Sequence, residues 1–320
     1  MPSVDSPPAP RHARPPPTKE PLDYADLSII DFSHIRHSEG RMKLALQVRE
    51  AMTTQGFFYV VNHGYTQRQN ERIFDIADIP FATMTDQEKT LFASDIKGAG
   101  SYQGYKRREY LHVDAGVRDQ VEHYNINHDV TRKEHPAALR PLLPEIEAFM
   151  QFNHFHLLHN ILCLFAIGLE LPEDTLVKTH DWSALEETYV RFTKYRPRSE
   201  DDEIKTKNVW LKGHTDLGSI TILWSQPVAA LQILSPDRKW RWIKHIDNAL
   251  VVNAGDAMEF LSGGFYKPTI HRVVQPPEDQ RGRTRLAPGR VMAYGLTERT
   301  KREDGVEQEL VNGLAVNYYS

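Results

Sequence analysis

The sequence predicts a mainly β protein with flanking helices, in which a C-terminal sandwich or barrel is wrapped by a mostly helical N-terminal part. Three observations predict it. After Tyr189 the chain breaks into short β-branched and aromatic runs: YVRFTKY, SITILW, ALQIL, WRWIKH, ALVVNAG, TIHRVV and VMAYGL. Gly, Pro, Asn and Asp clusters separate these runs, which is the pattern of an all-β sandwich or barrel. Before Tyr189, apolar residues recur at helical spacing in several stretches. Finally, 320 residues with 40% hydrophobic and 26% charged side chains suit one large domain with a sizeable core.

The elements follow in order. Residues 1–21 hold eight of the 20 prolines and almost no large apolar group, so a disordered Pro-rich arm is expected there. Residues 22–320 then form a single domain, with 22–188 mostly helical and 189–320 the β core. Leu27-Ser-Ile-Ile-Asp-Phe reads as a short strand, and Leu44, Leu46, Val48 and Met52 mark a helix over 41–54. The run from Gln55 to Gly64 reads as strand and turn. Thr66 can cap a helix reaching about Phe81, and Thr85 with Glu88 fits a capping box. Residues 97–135, with four glycines among charges and tyrosines, read as loop. A long helix is expected over 142–168, with Pro144 in its first turn and Gly168 at its end.

Composition excludes several classes of function. Lys+Arg is 39 and Asp+Glu 43, a formal net charge of −4, which does not suit binding to nucleic acid by bulk charge. No apolar run reaches the roughly 20 residues of a membrane span. The single cysteine, Cys163, forms no intrachain disulfide. The opening residues lack the apolar core of a secretory signal. The expectation is a soluble, cytoplasmic protein.

Chemistry concentrates in Gly213-His-Thr-Asp-Leu-Gly-Ser-Ile-Thr-Ile and in Lys267-Pro-Thr-Ile-His-Arg-Val-Val. In extended backbone, His214 and Asp216 leave the same face. With His271 from a second strand, two imidazoles and one carboxylate can occupy one face of an Fe(II) octahedron, leaving positions open for a co-substrate and O2. A bare H-x-D is common by chance. The apolar strand Ala249-Leu-Val-Val-Asn-Ala-Gly-Asp between the two pieces gives this one its context.

Three blocks resemble the isopenicillin N synthase-like group of Fe(II)- and 2-oxoglutarate-dependent oxygenases. They are "LSIIDFS…TTQGFFYVVNHG" (27–64), "GHTDLGSITIL…ALQI" (213–233) and "ALVVNAGDAMEFLSGGFYKPTIHRVV" (249–274). The resemblance implies a distorted double-stranded β-helix, or jelly-roll, core. It also implies His214, Asp216 and His271 as iron ligands, with 2-oxoglutarate and O2 as co-substrates. The implied activity is hydroxylation, desaturation or ring rearrangement at a C–H bond of a small molecule, in specialised metabolism.

An oxoglutarate site needs a cation for the distal carboxylate, and the arginine fork suits it. The family's arginine lies 10–15 residues after the distal histidine and is usually followed two residues later by serine. Here no arginine has that serine, and Pro288-Gly289 interrupts the expected strand. Arg285 matches the spacing best; Arg281 and Arg290 are the alternatives. Tyr195 resembles the family tyrosine whose hydroxyl helps hold the co-substrate, and a buried core tyrosine is the competing reading. Loss of the pattern leaves two rivals open, an oxidase on the same scaffold that does not use 2-oxoglutarate and a non-catalytic ligand-binding relative. A zinc hydrolase is disfavoured, since no H-E-x-x-H is present.

The other features have simpler readings. His154, His156 and His159 read as a solvated or locally paired helix face rather than a metal pair, and His63 as a structural hydrogen-bonding residue in its turn. The tryptophans of the β half read as packing. Segments 101–108 and 119–125 fall where the family often places substrate contacts.

Overall fold

The computed structural model describes residues 7–95, 101–184, 188–293, 310–311 and 314–315. Fourteen of its strands build or adjoin the core: β1 Ile29–Asp31, β2 Phe57–Val61, β3 Gly104–Lys106, β4 His112–Asp114, β5 Val117–Arg118, β6 Val121–Asn127, β7 Tyr189–Tyr195, β8 Val209–His214, β9 Ile220–Trp224, β10 Leu231–Leu234, β11 Trp240–Trp242, β12 Leu250–Ala254, β13 His271–Val274 and β14 Arg285–Ala293. A major sheet runs β1-β2-β12-β9-β14-β7-β6-β3, and a minor sheet runs β11-β10-β13-β8. The two form the jelly-roll core.

Strand periodicity explains the layers. On the major sheet, Phe58, Val60, Val190, Phe192, Ile220, Ile222, Leu250 and Val252 point to one core, shared with the helices. Their neighbours Phe57, Tyr59, Tyr195 and Val251 point the other way, into a second core with Trp210, Ile233 and Val273 of the minor sheet. Both faces are thus covered, which is why these runs read as nearly continuous apolar segments.

The helical layer comprises α1 Ser38–Thr54, α2 Gln67–Thr83, α3 Asp86–Leu91 and a long helix. Thr66 and Thr85 both close capping boxes, with Gln69 and Glu88 respectively. The long helix runs as α4 Leu143–Gln151, a π-helical segment Phe152–Leu158 and α5 His159–Gly168. Short helices α6 Thr175–Lys178, α7 Glu200–Lys205 and α8 Asp256–Leu261 join the later strands. Among the described residues no helix is long and apolar enough to cross a membrane.

Two expectations differ from the structure here. Residues 104–127, read as loop, carry β3 to β6, and β6 adds to the major sheet beside β7. Its sequence VEHYNIN hides the strand because Glu122, His123, Asn125 and Asn127 are polar yet buried beside the apolar residues. Glu122, for example, is 2% exposed and ion-paired to Arg196. The Pro-rich segment is not free either: from Pro7 it lies along the body. Arg72 Nη2 donates to the Pro7 carbonyl at 2.6 Å, and His12 N donates to Asp75 at 2.7 Å. Gln280 Nε2 donates to the Pro16 carbonyl at 2.8 Å, and Thr18 Oγ1 donates to Asp279 at 2.7 Å. The Arg14 guanidinium sits 5.6 Å above the Phe74 ring. Composition counted only the apolar surface such a segment can bury. Proline also restricts the unfolded chain, so docking costs little entropy. Deleting residues 1–21 is therefore expected to lower Tm by about 3–6 °C, the effect of one or two net hydrogen bonds in a domain this large. Thermal melts of the two forms check it.

Burial also shapes the pH response. His135 and His180 are held below the ordinary histidine range by desolvation. His154 is pushed down to about 4 by burial, and His159, His180 and His128 beside it add to this. In the unfolded chain these rings take up protons below about pH 6.5, which the folded protein resists. Stability is therefore full above that pH and falls as pH drops from about 6.5 towards 4. A series of melts across this window at fixed ionic strength measures it.

Candidate active site

A cavity of about 170 Å³ lies between the two sheets. At one side of it three side chains converge. His214 ends β8 and His271 starts β13, and the two are directly paired in the minor sheet. Asp216 stands in the irregular segment after β8. His214 Nε2 is 3.8 Å and His271 Nε2 is 3.7 Å from Asp216 Oδ1. Each imidazole directs Nε2 inward because its Nδ1 faces the carbonyl two residues earlier: Lys212 at 3.0 Å for His214, Thr269 at 3.1 Å for His271. Burial pushes the His271 ring down to about 4, so it is neutral, the form in which imidazole takes a metal.

Extended backbone through Asp216 would put its side chain on the face of His214. The strand instead ends at His214, and Asp216 reaches the imidazoles because its loop is tied elsewhere. Asp256 N donates to the Asp216 carbonyl at 2.7 Å, and Gly255 N donates to that of Ser219 at 3.0 Å. The side chain is aimed by two residues that sequence reasoning passed over. Thr221 Oγ1 and Asn253 Nδ2 both donate to Asp216 Oδ2, at 2.7 and 3.0 Å, leaving Oδ1 to face the imidazoles. Their only signal was a polar residue inside each of two apolar strands.

Gly255 makes this approach close. A Cβ there would stand 2.1 Å from the Gly218 carbonyl and 2.4 Å from that of Asp216. Gly255→Ala is expected to cost roughly 1–3 kcal/mol by overpacking and to weaken metal binding with it. Chemical denaturation and a metal titration on the same protein check both.

The donor set fits a borderline divalent ion. With metal–ligand bonds near 2.1 Å, ligands on one octahedral face stand about 3.0 Å apart, so N···O separations of 3.7 and 3.8 Å close on an ion with side-chain shifts of under about 1 Å. Among the described residues this is the one group of three such side chains whose ligand atoms all lie within 4.8 Å of one another. His154, His156 and His159 form no such group. His63 has the structural role expected of it, with Nε2 2.8 Å from the Asn248 carbonyl.

Arg285 also lines the cavity, at the start of β14 and opposite Tyr195 of β7. It is 5% exposed, its guanidinium lies 5.2 Å from the Tyr195 ring centre, and its Nε has no hydrogen-bond partner. Burial lowers its pKa, and among the described residues no carboxylate pairs with it. A buried cation without a counter-ion is costly unless a ligand supplies one. Arg281, in contrast, is exposed, and the side chain of Arg290 lies outside the described residues. Pro288-Gly289 does not end the strand: β14 continues through it by a register shift between Ala287 and Arg290, which spares the ladder a donor that proline lacks. Tyr102 and Lys106, with Asp119, Val121 and His123, line the cavity from the two segments expected to meet substrate. Lys106 is ion-paired to Asp119 in its wall.

Residues 186–287 match the profile of the 2OG-Fe(II) oxygenase superfamily, and residues 27–145 match that of the non-haem dioxygenase N-terminal region, described from morphine synthesis. The chain belongs to the 2OG-Fe(II) oxygenase superfamily. This oxygenase is 26% identical over 264 residues to a 2-oxoglutarate-Fe(II) type oxidoreductase of Emericella nidulans, covering 77% of this chain and 74% of that one. It is 28% identical over 253 residues to leucoanthocyanidin dioxygenase of Perilla frutescens, covering 77% and 67%. Its fold is that of a Neurospora crassa protein solved with alpha-KG and thymine, at a TM-score of 0.71 and 22% identity over 84% of this chain and 86% of that one. The oxygenase is a non-haem iron enzyme that uses 2-oxoglutarate.

Proposed function

We propose that this oxygenase oxidises a C–H bond of a small molecule of specialised metabolism, with His214, Asp216 and His271 holding Fe(II) and Arg285 with Tyr195 binding 2-oxoglutarate. One observation carries the reading: the three ligand-type atoms converge in the wall of a cavity that also contains a buried arginine with no counter-ion among the described residues. Relatives named as a dioxygenase of leucoanthocyanidin, and a similar fold solved with thymine, support a small-molecule substrate. The net charge of −4 supports the absence of nucleic-acid binding, and we place the protein in the cytoplasm.

Bound iron and 2-oxoglutarate supply oxidative decarboxylation of the co-substrate by O2, coupled to oxidation of the substrate. The protein's own groups prepare for this. Arg285 offers its fork to the distal carboxylate, and the Tyr195 ring packs against that guanidinium. Thr221 and Asn253 keep Asp216 oriented. Leu211, Leu223 and Val273 give the cavity its apolar wall, and Tyr102 and Tyr110 add aromatic surface for a planar or ring-bearing substrate. The test is succinate release from 2-oxoglutarate by the purified enzyme with Fe(II), ascorbate and O2, against a panel of small phenolic, terpenoid and amino-acid-derived compounds. Iron-dependent succinate, stimulated by one compound class, is expected. Substrate oxidation without succinate would favour the oxidase that does not use 2-oxoglutarate, a reading that the buried Arg285 argues against.

A further inference from the structure

Asp216 is secured from two directions already described. Its carboxylate is held by Thr221 and Asn253, and its loop is tied to Gly255 and Asp256. A third tie comes from outside the sheets. His180 follows α6 and is 0% exposed. Its Nδ1 lies 2.7 Å from the Leu176 carbonyl, and its Nε2 lies 2.6 Å from Ser219 Oγ. A carbonyl only accepts, so Nδ1 carries the proton and Nε2 accepts from the Ser219 hydroxyl. Burial lowers the pKa of this ring, in keeping with a neutral acceptor.

The placement of this bond gives it meaning. Ser219 is fully buried and lies between Asp216 and Thr221, at the end of an irregular segment that backbone regularity does not fix. Its carbonyl is the one that accepts from Gly255 N. His180 joins this segment to the helical layer across 39 residues of sequence and does not line the cavity. We propose that His180 is a positioning residue for the metal site: through Ser219 it fixes the loop that presents Asp216 to the ion. This inference rests on the reading of Asp216 as an iron ligand.

The test is Mn(II) binding to the full-length, metal-free protein, followed by the EPR signal of free Mn(II), alongside thermal melts. Ser219→Ala removes one oxygen atom and leaves the fold's volume nearly intact. It is expected to weaken Mn(II) binding about tenfold, the low end of what outer-shell partners contribute. His180→Ala is expected to do the same, and the double variant no more than either single one, since the same His180–Ser219 bond is lost in each case. His180→Gln, whose amide oxygen can accept from Ser219, is expected to recover most of the affinity. Unchanged Mn(II) affinity in Ser219→Ala, with only a lower Tm, would overturn the proposal and leave His180 a packing residue. Asp216→Ala runs in parallel. If it binds Mn(II) like the wild type, the ligand reading itself is wrong; if it alone loses the ion, only the role of His180 is.

Discussion

Arg285→Ala is expected to raise the 2-oxoglutarate concentration for half-maximal turnover by about 100-fold or more at saturating iron, with Tm changed little or raised. Removing one partner of a buried, hydrogen-bonded charge pair costs roughly 3–5 kcal/mol, much of it from the charge left unpaired. Among the described residues Arg285 has no carboxylate partner in the free protein: it is 5% exposed and desolvated, with the Tyr195 ring against it. Its removal therefore relieves a cost in the free state while destroying the site for the carboxylate. Arg285→Lys keeps the charge without the planar fork and is expected to fall between the two. Arg281→Ala serves as the comparison, since that side chain is exposed and should leave the co-substrate requirement unchanged. Steady-state kinetics in 2-oxoglutarate read all three. An unchanged requirement in Arg285→Ala would move the anchor to another residue.

Asp216→Ala is expected to abolish turnover and to weaken Fe(II) binding by more than about 100-fold, beyond the effect of outer-shell changes. Three losses coincide at this position. The site loses its one carboxylate, the two imidazoles lose the atom that lies 3.7 and 3.8 Å from them, and Thr221 and Asn253 lose their common acceptor. His271→Ala removes a ligand without stranding those donors, so its effect on folding is expected to be smaller. Metal titration of the apo variants, with circular dichroism to show that the fold persists, separates lost binding from lost structure.

Much of this architecture was legible because local rules and tertiary packing agree along most of the chain. The Thr66 cap and the Thr85–Glu88 capping box were readable since their bonds lie within four residues. The core strands were readable because each buries apolar side chains on alternate faces. What escaped depended on partners distant in sequence. Strand β6 escaped because Glu122 and Asn125 are buried through Arg196 and Arg191, which no local pattern announces. The docked Pro-rich segment escaped because its bonds go to side chains of α2 and to residues near 280. At the site, His214, Asp216 and His271 stood out as residue types in a pattern. The route of Asp216 to its place did not, because it runs through Gly255 and Asp256 rather than along β8. Arg285 was separable from its neighbours by spacing, and its burial gives that choice a physical basis.

The most direct measurement of the central claim is an anaerobic Fe(II) titration with and without 2-oxoglutarate, followed in the visible region. A weak charge-transfer band is expected only when both are present. It should be absent in His271→Ala and should need far more 2-oxoglutarate in Arg285→Ala. Tight iron binding with no band at any 2-oxoglutarate concentration would contradict the account.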